Sequence, residues 1–165
     1  MKLIEIWKAD IERAYELQCS FLKNEQGFIN SAYGYSFDEF EKYVYECKDN
    51  SMGIGLPKGY VPATVFILED DEGRYVGIFN LRHYLNEALA NGAGHIGYGM
   101  SFSYRNRGYA TKGLELVLQE AKSRGITEVY LSVNKNNLPS LKVQQHNGAI
   151  IHHEDENKYY TRIKL

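Results

Sequence analysis

No run of apolar residues approaches the roughly 18 that a membrane span requires, and the opening stretch Met1 to Asp10 lacks the apolar segment of a secretory signal. The cytoplasm is therefore the expected location. Cysteine is nearly absent: Cys19 and Cys47 are too few for a disulfide framework and have no metal-ligand spacing, so both are expected as reduced thiols. No metal site is expected, because His146, His152 and His153 also lack ligand spacing. Charge of one sign is not in excess either. Nineteen basic and 21 acidic residues leave a formal net charge of -2, which gives no global attraction for nucleic acid or anionic lipid and confines any anion site to a local cluster.

What is present is a globular composition. The 165 residues are 44% hydrophobic and 24% charged, with no repeat or low-complexity tract, so one domain spanning residues 1–165 is expected. Fourteen tyrosines exceed the needs of a core of this size and suggest a groove or interface lined by amphipathic rings.

Alternation of apolar and polar residues predicts a strand over Lys2 to Trp7, and Asp10 is placed to cap a helix over Ile11 to Lys23. Asn24 to Tyr35 reads as a loop, and Ser36 with Glu39 as the capping box of a second helix to about Cys47. Three glycines and a proline in Lys48 to Gly59 predict an irregular, mobile flap. Thr64 to Glu69 and Tyr75 to Leu81 form a predicted hairpin around Asp70 to Gly73, and Tyr84 to Ala90 has the composition of a short helix. A strand over Gly94 to Phe102 has Ile96, Tyr98, Met100 and Phe102 on one face and only His95, Gly97 and Gly99 on the other. That bare face fits a strand that admits a ligand, and fits a bulge or tight packing equally well. A helix from about Tyr109 to Ser123, a strand over Glu128 to Val133, a helix over Pro139 to Gln145 and a final strand pair complete the order.

Arg105-Asn106-Arg107-Gly108-Tyr109-Ala110 follows a strand and opens a helix, so free backbone N–H groups and the helix dipole converge there. Gly108 allows close backbone approach, and the two arginines suit a diphosphate; solvated arginines around a turn glycine are the competing reading. Neither a P-loop nor a dinucleotide-binding glycine pattern occurs at this junction, which removes the main support for nucleoside triphosphates and dinucleotides.

The run Arg105-x-x-Gly108-x-Ala110, placed between strand and helix, resembles the Q/R-x-x-G-x-G/A signature of the GNAT N-acetyltransferase superfamily, and the likeness extends from about Thr64 to Glu154. It implies an α/β (α+β) fold: a mixed, mostly antiparallel central sheet with a splayed parallel strand pair and helices on both faces. It further implies that acetyl-CoA is the acyl donor, with its pyrophosphate on the amides of Arg107 to Thr111 beside Arg105, Asn106, Gly108, Tyr109 and Ala110. Its pantetheine arm would run along Met100 to Phe102, and Asn137 with Ser140 would flank it from the last helix. Similar folds frequently form homodimers. The superfamily's proton-donating tyrosine would fall at position 144, where this sequence has Gln144, leaving water, Ser140 or a nearby tyrosine as donor.

The expected reaction is direct acetyl transfer to a primary amine of a small molecule or peptide within a ternary complex, without nucleic acid, membrane or metal. A carboxylate is the usual means of freeing the amine, and Glu87 is the candidate base, with Arg82, His83, Asn86 and His95 as candidate acceptor contacts. Gln144 keeps a second reading open, a non-catalytic acyl-CoA-binding or sensor domain of the same fold. A longer acyl donor and a tyrosine-faced interaction module are the others.

Overall fold

A computed structural model describes residues 1–165. The chain begins with β1 (Lys2–Glu5), a 3-10 turn (Ile6–Lys8) and α1 (Ile11–Cys19), followed by a two-residue pair, β2 (Asn24–Glu25) and β3 (Phe28–Ile29), inside the stretch expected to be loop. Next come α2 (Phe37–Ser51), β4 (Ala63–Glu69), β5 (Tyr75–Arg82), α3 (Glu87–Ala90) and β6 (Ile96–Met100). The chain ends with α4 (Tyr109–Ser123), β7 (Glu128–Asn134), α5 (Leu138–His146), β8 (Ile150–Glu154) and β9 (Lys158–Lys164).

Local chemistry sets most of these boundaries. The Asp10 carboxylate accepts from the Arg13 N–H at 3.0 Å and starts α1, and Ser36 and Glu39 close a reciprocal capping box that starts α2. The second helix runs to Ser51, one turn past its predicted end, so the flap is shorter than expected. Asp70 organises the β4–β5 turn by accepting from the Glu72 and Arg74 N–H groups, with a register shift at Leu68/Glu69.

The strands form a β1-β4-β5-β6 sheet and a β7-β9-β8 sheet, each with antiparallel ladders. In β4, Phe66 and Leu68 point into a core shared with Leu114, Val117 and Ala121 of α4, while Ile67 points to the other face, against Leu17 of α1 and Phe40 of α2. Helices thus cover both faces of the first sheet. Gly113 lets α4 approach closely, because a Cβ there would overlap the Phe79 ring.

The two sheets meet at one point. A single bridge, antiparallel in pattern, joins Gly94 to Leu131, where the His95 N–H donates to the Tyr130 carbonyl at 2.7 Å. Further along, Tyr98 of β6 touches Ser140 of α5, past the end of β7. Beyond the bridge, β6 has no ladder with β7, and this opening positions the site.

Candidate active site

Four of the five helices carry a side-chain N-cap, from Asp10, Ser36, Asn86 and Asn137. The exception is α4. Its N-cap is Gly108, at φ +79°, which has no side chain to cap with and adopts a left-handed conformation that L-residues with a Cβ resist. The backbone N–H groups of Tyr109, Ala110 and Thr111 consequently find no acceptor within the protein. Orphan donors at the positive end of a 15-residue helix dipole form a ready anion site.

These amides open into a cleft of about 750 Å³ bounded by β6, the turn into α4 and the start of α5. Met100, Phe102, Arg105, Asn106, Gly108, Tyr109, Ala110, Thr111, Asn137 and Ser140 all line it. Arg107, of the same predicted set, does not; its guanidinium lies near the Tyr104 ring, 5.9 Å from the centroid. Three of the tyrosines, Tyr98, Tyr104 and Tyr109, contribute to the wall. Tyr33, Tyr35, Tyr45, Tyr60 and Tyr84 are instead exposed elsewhere, so only part of the tyrosine excess belongs to this groove.

One wall is a row of open backbone groups. The Ser101 N–H donates to Val76 and the Arg82 N–H to His95, which fixes the phase of the β5–β6 ladder. In an antiparallel pair alternate residues face away from the partner, so the N–H and C=O groups of Tyr98 and Met100 project toward the gap that β7 leaves unfilled. One of these, the Met100 carbonyl, accepts from Arg105 Nε at 3.0 Å.

The sequence reading missed a strap across this cleft. The β2–β3 turn brings Glu25, Gln26 and Phe28 to its lining. Glu25 ion-pairs with Arg105, and the Gln26 carbonyl accepts from Asn137 Nδ2 at 3.3 Å, so the strap is tied to both walls. Phe28 packs on Phe21, with ring centroids 5.1 Å apart, in the space that a Cβ on Gly99 would fill. Gly99 is therefore a packing glycine, whereas Gly97 has open space where its Cβ would be. Of the four strand residues only Phe28 and Ile29 favour a strand, too little signal against Asn24, Glu25, Gln26 and Gly27.

The predicted acceptor cluster lies outside the cleft, at the opposite end of β6. Each of its polar groups is committed to holding the fold. Arg82 donates to the Gly94 carbonyl at 3.0 Å; His83 Nε2 pairs with Thr64 Oγ1 at 2.8 Å; Asn86 caps α3 and donates to the Gly59 carbonyl at 2.9 Å. His95 is buried and its Nδ1 accepts the Tyr130 N–H at 3.0 Å, closing the junction between the sheets. Burial, followed by the positive charges of Arg82 and Arg162, lowers its pKa to about 4, so it is neutral at physiological pH. Glu87 is the exposed first residue of α3 and does not line the cleft. Gln144 is buried and accepts from Thr161 Oγ1 at 2.7 Å.

Comparison with known proteins fits this geometry. The model of the acetyltransferase (GNAT) family matches residues 13–149. The chain belongs to the GNAT acetyltransferase family. Sequence comparison with curated proteins finds no match. Among solved structures, GNAT acetyltransferases share its fold across almost the whole chain. Campylobacter jejuni N-acetyltransferase PseH, in complex with acetyl coenzyme A, is 17% identical over 99% of this chain and 98% of its own, with a TM-score of 0.63. Mycobacterium smegmatis RimJ, in complex with CoA-disulfide, is 16% identical over 99% of this chain and 81% of its own, with a TM-score of 0.70. A spermidine N-acetyltransferase chimera from Vibrio cholerae SpeG and hSSAT is 14% identical over 99% of this chain and 96% of its own, with a TM-score of 0.65. No helix of this GNAT protein is long and apolar enough to cross a membrane.

Proposed function

We propose that the protein is an acetyl-CoA-dependent N-acetyltransferase acting on a primary amine of a small molecule or peptide. The observation that carries this reading is the uncapped N-terminus of α4 at the mouth of the cleft, the one α-helix start without a side-chain cap. A diphosphate fits those donors: Gly108 brings the backbone close, and three amides point one way. The outward edge of Tyr98 and Met100 would pair with the amide-bearing pantetheine arm as a neighbouring strand would. Asn137 and Ser140 would flank that arm from α5.

Acetyl-CoA supplies a thioester, a carbonyl carbon already activated toward amines. The protein's part is to hold it in line with the acceptor and to offer backbone donors, with proximity as the main source of acceleration. The acceptor would reach the thioester over the face of β6 left bare at Gly97. Glu87 is exposed on α3 and does not line the cleft, which favours water over it as the base.

The burial of Gln144 supports a second reading, an acyl-CoA sensor without turnover. A thermal-shift titration with acetyl-CoA, CoA and NAD, followed by thiol release against a panel of amines, separates the two. Selective stabilisation by acetyl-CoA with amine-dependent thiol release supports the transferase. Stabilisation without release supports the sensor, and no stabilisation refutes both.

A further inference from the structure

Breaking a thioester leaves its electron pair on sulfur, and a buried sulfur anion needs a hydrogen-bond donor. Several hydroxyls line the cleft. Tyr109 donates to Asp70 at 3.2 Å, and Tyr104 and Thr111 lie at or beside the anion-binding mouth. Tyr98 is different in position. It is the innermost β6 residue of the lining, at the end away from the α4 amides, where the reactive end of an elongated donor anchored by its phosphates would arrive.

The surroundings of the Tyr98 hydroxyl are built for one orientation. Its ring stacks on Phe79, with centroids 5.3 Å apart and planes at 19°. The hydroxyl lies 2.7 Å from Ser140 Oγ and within hydrogen-bonding reach of the Gln144 side chain. Gln144 Oε1 accepts from Thr161, and the Gln144 side chain favours the ionised form of Tyr98 as only a donor does, so the end that meets Tyr98 is the amide NH2. The hydroxyl's own proton goes to the Ser140 carbonyl at 3.2 Å, a long bond that it would exchange for a charged sulfur arriving in the cleft. Gln144 is thus placed to position a donor contributed by another strand.

We propose that Tyr98 donates a hydrogen bond to the departing CoA sulfur, with Gln144 and Ser140 as positioning residues. The inference rests on the acetyl-CoA reading above. The amine nitrogen bonds to the acetyl carbon, the carbon–sulfur bond breaks with its electron pair staying on sulfur, and the proton lost by nitrogen goes to water. Tyr98 keeps its own proton throughout, in accord with a pKa that burial raises to about 12. The charged groups lining the same cleft are Glu25, Arg105 and Lys142, which the test leaves unchanged.

The test is Tyr98→Phe, which keeps the stacked ring. Ultraviolet absorbance of the thiolate gives the pKa of the CoA thiol bound to each protein, a readout that needs no acceptor. The expected result is a bound thiol about one pH unit more acidic in the parent than in Tyr98→Phe. The kcat with acetyl-CoA should fall roughly 10- to 100-fold in the variant, with KM for acetyl-CoA within about twofold. A thioester of a more acidic thiol should shrink that deficit. Equal thiol pKa values and equal kcat overturn the inference. A parent protein that does not bind CoA overturns the acetyl-CoA reading itself, and this inference with it. Should Tyr98→Phe fail to fold, 3-fluorotyrosine at position 98 preserves shape and strengthens the donor; the bound thiol then becomes more acidic, and an unchanged value overturns the proposal.

Discussion

The two ends of β6 carry similar sequence and have opposite fates. Both are rich in Gly, Arg and Tyr with polar side chains close by, and both were read as parts of one site. At the Met100 end the polar groups are mostly backbone, and apart from the Met100 carbonyl the protein leaves them unpaired: the outward edge of the strand and the first amides of α4. At the His95 end the polar groups are side chains, and Arg82, His83, Asn86 and His95 bond to backbone or to a neighbouring side chain. A cluster of chemically able side chains is weak evidence of a site when its members are already bonded within the fold. Unpaired backbone at a helix start is better evidence, because burial of such groups would otherwise be costly.

The comparison makes predictions that can break it. The largest concerns the junction. Above pH 6.5 His95 is neutral in both folded and unfolded chains; between 6.5 and about 4 only the unfolded chain takes the proton, so the stability due to this group is lost as pH falls through that window. The loss amounts to about 3 kcal/mol, and urea unfolding from pH 7 to 4 should show a steeper fall in the parent than in His95→Gln. Parallel curves would remove His95 from the junction's energetics.

Next comes the cradle. Gly108→Asp places a carboxylate at the α4 amides and a Cβ at φ +79°, and should weaken CoA binding by roughly 30-fold, about 2 kcal/mol, by calorimetric titration. Unchanged affinity would move the anion site elsewhere. A smaller effect is expected from Glu25→Gln, which frees Arg105 from the strap; CoA should bind up to about fivefold tighter, the worth of a partly exposed ion pair. Weaker binding would make the strap a part of the donor site. The smallest is Glu87→Gln, whose turnover should stay within about twofold of the parent, as befits an exposed surface mutation; a large loss would return the base to α3.

Legibility followed the range of the interactions. The caps at Asp10, Ser36 and Asn137, the hairpin turn at Asp70 and the cradle at Gly108 are each decided within four residues, and all were readable. The strap was not, because what holds it is Arg105 and Asn137, about 80 and 111 residues away in the chain. Nor was the difference between Gly97 and Gly99. Identical residues two apart on one face differ only because Phe28 happens to cover one of them.

The sequence by itself determined the order of elements, the family and the turn that leaves α4 uncapped, since dihedral preference and local hydrogen bonding act between near neighbours. Tertiary structure decided which polar groups are spent and which stay free: it committed His95 to a backbone amide, drew Glu25 to Arg105, and set Gln144 beside the hydroxyl of Tyr98. Those pairings depend on segments far apart in the chain meeting at hydrogen-bonding distance, and only the packing of helices against the two sheets fixes that distance.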